Sequence, residues 1–195
     1  MVSRINGTQV NLRRIRGIDA PDICRLARDR EISRFTFIPR PYTLENAEQF
    51  IKLTQKHWRS KRAYRFGIED PKTGRIIGMI GLEVINYRHK NVEIGYWLGK
   101  PYWGRGLMTE AVRLVLRVCF RELKLKRVCA HVFPQNTSSM RLLDRCGFTP
   151  EGRLRKVMLR RKRWQDAFVY SMLREEYGNV DQKCRSGRPT RAYFC

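Results

Sequence analysis

The sequence predicts a mixed α/β fold, in which one central sheet is flanked by helices. Three observations predict it. The 195 residues suit one ordinary domain, since length over about 150 leaves little room for two. Hydrophobic residues make up 42% and aromatics 11%, enough for a core and too many for a disordered body. Stretches of period 2 and of period 3.6 alternate along the chain, with no fixed repeat.

The elements follow in order. Gln9 to Ile15 alternates and reads as a strand. Asp19 to Arg28 has helical apolar spacing, with Ile23, Leu26 and Ala27 on one side. Thr43 is an N-cap for a second helix to about Lys61, striped by Leu44, Ala47, Ile51 and Trp58. A meander comes next: Ala63 to Glu69, Arg75 to Asn86 and Asn91 to Leu98, with polar turns between. After a Gly/Pro loop, a helix is expected from Leu107 to Glu122. Its apolar face holds Leu107, Ala111, Leu114, Val115 and Val118. Glu110, Arg113, Arg117 and Arg121 fall opposite. Arg127 to Phe133 is a strand, and Asn136 caps a helix that Gly147 ends. Phe148 to Leu159 and Trp164 to Leu173 read as a closing hairpin. The domain is expected over residues 1–177, and 178–195 as a basic, loose tail.

Charge sets this chain apart. Its 41 Lys and Arg against 18 Asp and Glu give a net charge of +23. Such a surface attracts polyanions, among them nucleic acid and ribosomes. The longest apolar or glycine run, Ile76 to Leu82, is far short of the roughly 20 residues of a membrane span. The N-terminal residues carry no signal-peptide core. A cytoplasmic protein is the expectation. The six cysteines form no CxxC pair, and His57, His89 and His131 are widely separated, so no metal site is expected. Cys119, Cys129 and Cys146 read as small core residues, while a Cys184–Cys195 disulfide is left open.

Two stretches carry chemistry. In the first, the strand Val92 to Leu98 leads into Trp103-Gly104-Arg105-Gly106-Leu107-Met108-Thr109-Glu110-Ala111, where a helix opens straight after two glycines. Unpartnered N–H groups at a helix start favour phosphate, and glycine lets a ligand approach the backbone. No Gly-Lys-Ser/Thr follows, so it is not a Walker loop, and no βαβ unit makes it a dinucleotide fingerprint. The second stretch runs from His131 through Asn136 and Ser139 to Gly147-Phe148, a strand followed by an Asn-capped helix.

Together these motifs resemble the Gcn5-related N-acetyltransferase (GNAT) superfamily, most closely its RimJ/RimL-like branch, which acetylates ribosomal-protein N-termini. The matching positions are Glu93 to Leu98, Tyr102 to Ala111 and Asn136 to Phe148, and the likeness covers roughly residues 8–176. It implies a mostly antiparallel sheet whose central strands splay to bind acetyl-CoA. Trp97 and Leu98 would offer backbone groups to pantetheine. Trp103, Gly104, Arg105, Gly106, Leu107 and Met108 would wrap the pyrophosphate. Met108 stands where the superfamily has a small residue, so a slightly tighter cradle is expected. Asn136 would hold the pantetheine arm or help position the thioester, and Arg105, Arg141 and Arg145 are candidates for the 3′-phosphate.

The reaction the resemblance implies is direct attack of an amine on the thioester. A protein α-amine, with pKa near ~8 against ~10.4 for lysine, needs only a weak base. His131, on the strand before Asn136, is the first candidate, and Glu93 is the second. The superfamily's frequent tyrosine acid is replaced by Leu143. Ser139 is the candidate donor to the leaving sulfur. Some relatives' glutamate on the penultimate strand falls on Met158. Phe35, Phe37 and Tyr42 lie in the segment that lines the acceptor groove of the superfamily. Asp166 is expected to close the hairpin. His57 and His89 read as solvated.

The expected function is acetylation of a protein N-terminal α-amine, with a ribosomal protein as acceptor and the basic surface meeting ribosome or RNA. Two other readings stay open, a small-amine acetyltransferase and a catalytically silent binding module. A homodimer is open as well. Few acids are available to hold a polycationic small amine.

Overall fold

The structure, a computed structural model, describes residues 3–178. The strands are β1 (Arg4–Asn6), β2 (Asn11–Arg14), β3 (Tyr64–Glu69), β4 (Ile76–Asn86), β5 (Asn91–Leu98), β6 (Arg127–Val132), β7 (Thr149–Arg160) and β8 (Arg163–Leu173). The helices are α1 (Ala20–Ala27), α2 (Arg30–Arg34), α3 (Leu44–Arg59), α4 (Leu107–Arg117) and α5 (Thr137–Cys146). The strands form one mixed sheet in the order β1-β2-β3-β4-β5-β6-β8-β7. The predicted α/β class and its central sheet are therefore present. The tail expected over 178–195, with Cys184 and Cys195, lies outside the described residues except for Gly178.

Packing divides the chain into two compact units. The first comprises Met1–Ile85 and Ile94–Val115, the second Asn86–Glu93 and Leu116–Cys195. In the first, β1, β2, β3 and β4 pair antiparallel in succession. The apolar stripes of α1 and α3 cover the sheet: Ile23, Cys24, Ala27, Ala47 and Ile51 cluster with Ile15, Ile76 and Met79. Thr43 caps α3 through a capping box with Asn46, as the sequence predicts. Trp58, near the end of α3, packs edge-on against Tyr64 and Phe66 at ring separations of 5.0 and 5.2 Å.

A buried ionic network joins β2, β3 and the turn before α1. The Arg13 guanidinium forks onto Asp19 with two bonds of 2.8 Å and also meets Glu69. Glu69 further accepts from Arg4 and Asn11. Arg13, Asp19 and Glu69 are nearly excluded from solvent, so each charge depends on its partners.

In the second unit, the start of β5 pairs parallel with β6, Glu93 opposing Cys129. Beyond β6, β8 and then β7 add antiparallel. The parallel ladder ends at Glu93 and Cys129, although β5 runs on to Leu98 and β6 to Val132. α5 ends at Gly147 with φ 86°, a left-handed C′ position that glycine fills without strain.

Several sequence expectations need correction. β1 and α2 are additional elements of three and five residues. The helix expected to Glu122 leaves α geometry at Val118 and finishes as a π-turn, with the Leu123 N–H bonding the Val118 carbonyl. Glu110 is not a solvated face residue, because its carboxylate accepts from the Thr8 and Gln9 amides. Val112 and Leu116 are buried too, so α4 is covered more widely than one stripe. Cys129 is only half-buried, whereas Cys119 and Cys146 are core residues as predicted.

Candidate active site

The loop before α4 lies in the first unit. A single 3₁₀ turn, Lys100–Tyr102, carries the chain off β5. The Trp103 indole N–H then bonds the Leu98 carbonyl at 2.6 Å. That bond pins the loop to its own strand, and it occupies a backbone acceptor that the resemblance assigned to pantetheine. Gly104 and Gly106 have φ of 75° and 77°, conformations that L side chains rarely adopt. Beyond the adjoining residues, no atom lies within 4 Å of where a Cβ would stand at either glycine, so the space over the loop backbone is open.

The first helical bond of α4 runs from the Glu110 N–H to the Gly106 carbonyl. The Leu107 and Met108 amides therefore precede the bonded turns of the helix. Open backbone, left-handed glycines and amides at a helix start make a cradle fit for a pyrophosphate. Met108 is half-buried in the first turn, and Arg105, Arg141 and Arg145 are exposed. The Arg105 guanidinium lies 6.0 Å over the Tyr102 ring. Trp97 is partly buried against the α1–α3 core, so a ligand meets its backbone more readily than its ring.

The acceptor-side aromatics separate into two groups. Phe37 is 61% exposed and Phe35 is half-buried. Tyr42 is 8% exposed within the core cluster, and burial pushes its phenol up to about 12. Tyr42 therefore supports this segment from below, a correction to its expected place on the substrate surface. His57 is likewise not simply solvated. Its Nδ1 lies 2.9 Å from the Arg65 guanidinium. Desolvation, then the nearby arginine charge, lowers its pKa, so it stays neutral at pH 7.

The second unit holds the candidate base. His131 and Cys129 alternate along β6 on the face that Glu93 shares from β5, because Glu93 opposes Cys129 in register. This places His131 Nδ1 2.9 Å from Glu93 Oε1. The separation suits a hydrogen bond, although the ring N–H is not aligned along it. At that distance attraction to the carboxylate survives imperfect alignment. The Glu93 carboxylate raises the His131 pKa above the ordinary imidazole value, against opposing desolvation. The sequence offered His131 and Glu93 as alternatives, whereas the structure makes them a pair.

Asn136 caps α5, its Oδ1 accepting the Ser139 N–H at 3.2 Å. That leaves the Asn136 amide NH₂ as its donor for a ligand, and Ser139 is half-buried in the first turn. Met158, on β7, supplies no carboxylate. Asp166 does close the hairpin, accepting from Arg153 and from the Lys156 amide. Among the described residues no His, Cys, Asp or Glu group is arranged to hold a metal, and no helix is long and apolar enough to cross a membrane.

This fold and this loop define an acetyltransferase of the GNAT class. The model of the acetyltransferase (GNAT) domain matches residues 9–149, and the chain belongs to that family. It is an N-acetyltransferase that uses acetyl-CoA as donor. The chain is 33% identical over 170 residues to N-acetyltransferase p20 of Bacillus licheniformis, covering 87% of this chain and 95% of that one. It is 28% identical over 172 residues to the spermidine N(1)-acetyltransferase of Vibrio cholerae, 88% and 97% of the two chains. The [ribosomal protein uS5]-alanine N-acetyltransferase of Escherichia coli is 33% identical over 105 residues, 53% of this chain and 54% of its own. Among solved structures, the ribosomal L7/L12 α-N-protein acetyltransferase in complex with coenzyme A has a TM-score of 0.80. It covers 87% of this chain and 97% of its own at 19% identity, a likeness of fold alone.

Proposed function

We propose that this N-acetyltransferase acts on the α-amine of a protein N-terminus, with a ribosomal protein as the acceptor. The His131–Glu93 pair is the observation that carries the reading. An imidazole held above its usual pKa is matched to an amine of pKa near ~8, whereas lysine or a polyamine amine near ~10.4 stays protonated beside it. Glu93 lies against Nδ1 of the ring, which leaves Nε2 as the nitrogen that takes the proton from the acceptor.

The amine nitrogen attacks the thioester carbonyl and a C–N bond forms. The amine's proton passes to His131, and the C–S bond breaks as the tetrahedral intermediate collapses. Ser139 donates a hydrogen bond to the departing sulfur, which is finally protonated by solvent. The Leu107 and Met108 amides hold the pyrophosphate, with Arg105, Arg141 and Arg145 as candidates for the 3′-phosphate. The Asn136 amide holds the pantetheine arm. Phe35 and Phe37 line the acceptor.

The likeness to a spermidine acetyltransferase favours one second reading, a small polyamine acceptor. Mass spectrometry with acetyl-CoA, peptides of varied N-terminus and spermidine in parallel separates the two. Acetylation of peptide α-amines with spermidine untouched is expected. The reverse result overturns the protein-acceptor reading, and no product from either class overturns both.

A further inference from the structure

The tip of the β7–β8 hairpin carries three features that a strand closing a sheet does not need. The first is exposed apolar surface. Leu159 and Trp164 face each other across the hairpin, and they are 54% and 60% exposed. Charge is the second. Arg155, Lys156, Arg160, Arg161, Lys162 and Arg163 crowd this end, and no acid lies between Gly152 and Gln165. The acids at the base are committed, Glu151 to Arg127 and Ser171, Asp166 to Arg153 and the Lys156 amide.

Strain is the third. Arg160 and Arg163 oppose each other in register, with only Arg161 and Lys162 between them. Those two have φ of 49° and 61°. Two positive φ values in a two-residue loop are the pattern that Asn-Gly satisfies cheaply. Arginine and lysine there cost about 1–2 kcal/mol each, and like charges directly across a ladder add to that cost. The turn thus keeps positive charge where smaller, neutral residues would relieve strain, while Arg160 lays its guanidinium over the Phe133 ring at 5.0 Å.

A second copy of the chain fits this face poorly, since two such tips repel. A polyanion with flat apolar rings fits all three features. Phosphates take the arginine forks, and bases stack on the indole and on guanidinium planes. We propose that the β7–β8 tip binds a single-stranded polynucleotide, with a base stacked on Trp164 and phosphates held by Arg161, Lys162 and Arg163.

The test uses the full chain and a labelled single strand of about 12 nucleotides, as RNA and as DNA, with the RNA duplex alongside. Anisotropy is read between about 50 and 200 mM salt. Trp164→Ala is expected to weaken single-strand binding about 5- to 150-fold, as loss of one stacked base predicts, while Trp164→Phe retains most of it. The pair Arg161→Asn with Lys162→Gly is expected to raise the unfolding temperature while it weakens binding and flattens the salt slope. A purely structural turn would not oppose those two readouts. A tighter RNA than DNA complex identifies RNA as the source, and the opposite order identifies DNA. Wild-type affinity in Trp164→Ala overturns the proposal. So does duplex binding that exceeds strand binding, or a dimer that Trp164→Ala dissolves.

Discussion

Gly106→Val tests the cradle directly. At φ 77° a β-branched residue sits where L side chains are strained by about 1–2 kcal/mol. Beyond the adjoining residues, nothing lies within 4 Å of the added Cβ, so no clash adds to that cost. For a chain of this size about 2–4 °C is lost per kcal/mol, and the melting temperature should fall by about 2–8 °C. Acetyl-CoA affinity should fall further. The valine stands over the backbone beside the Leu107 and Met108 amides. Losing one hydrogen bond to a charged phosphate, at about 1.5–3 kcal/mol, weakens binding about 10- to 150-fold. Calorimetric titration with acetyl-CoA well below the melting temperature measures this without interference from unfolding. Gly78→Ala is the contrast. Its Cβ would lie 2.5 Å from the Trp97 carbonyl oxygen, so it should cost stability far more. Unchanged affinity in a folded Gly106→Val protein would refute the assignment of this loop.

Other expectations concern the base and the ionic network. His131→Ala should lower kcat by about 10²–10⁴ with little change in acetyl-CoA affinity, and near wild-type turnover would return His131 to a packing role. Glu93→Gln removes the group that raises the His131 pKa, so the acidic limb of the rate profile should move to lower pH; a limb that stays in place argues against the pair. The same contact predicts a pH-dependent stability. With the folded pKa raised, its contribution is complete below the unfolded imidazole value near ~6.5 and fades as pH rises through the folded value; equal pH dependence of melting in wild type and Glu93→Gln would contradict this. Arg13→Met should destabilise by about 3–5 kcal/mol in denaturant unfolding, since it takes the forked guanidinium from the buried Asp19 carboxylate while Glu69 keeps Arg4 and Asn11.

Legibility in the sequence followed the strength of periodic and capping signals. α3 and α5 were readable from Thr43 and Asn136, whose side chains cap as expected. The glycine loop was readable because positive φ leaves a residue-type mark. β1 was not, since three residues cannot show alternation. α2 was not either, because five residues held by an Asp29 cap leave no stripe. The π-turn at Val118 preserves an apolar run and so hides inside a helical pattern. Glu93 and His131 stayed separate candidates because register, which opposes Glu93 to Cys129, is not written in either strand. Tyr42 misled for a related reason: a ring's composition does not say which side of a loop it takes.

The Glu110 carboxylate gives the beginning of the chain a part in ligand binding. It sits on the first turn of α4, yet it accepts from the Thr8 and Gln9 amides and the Thr8 hydroxyl. The turn between β1 and β2 is thereby fastened to the helix whose opening amides form the cradle. Donor binding and order in that turn should then be thermodynamically linked, each favouring the other. Saturating acetyl-CoA should slow hydrogen exchange at the Thr8 and Gln9 amides, far along the chain from the loop itself. A protein trimmed past Gln9, or carrying a bulky fusion against that turn, should bind the donor more weakly although every cradle residue is intact.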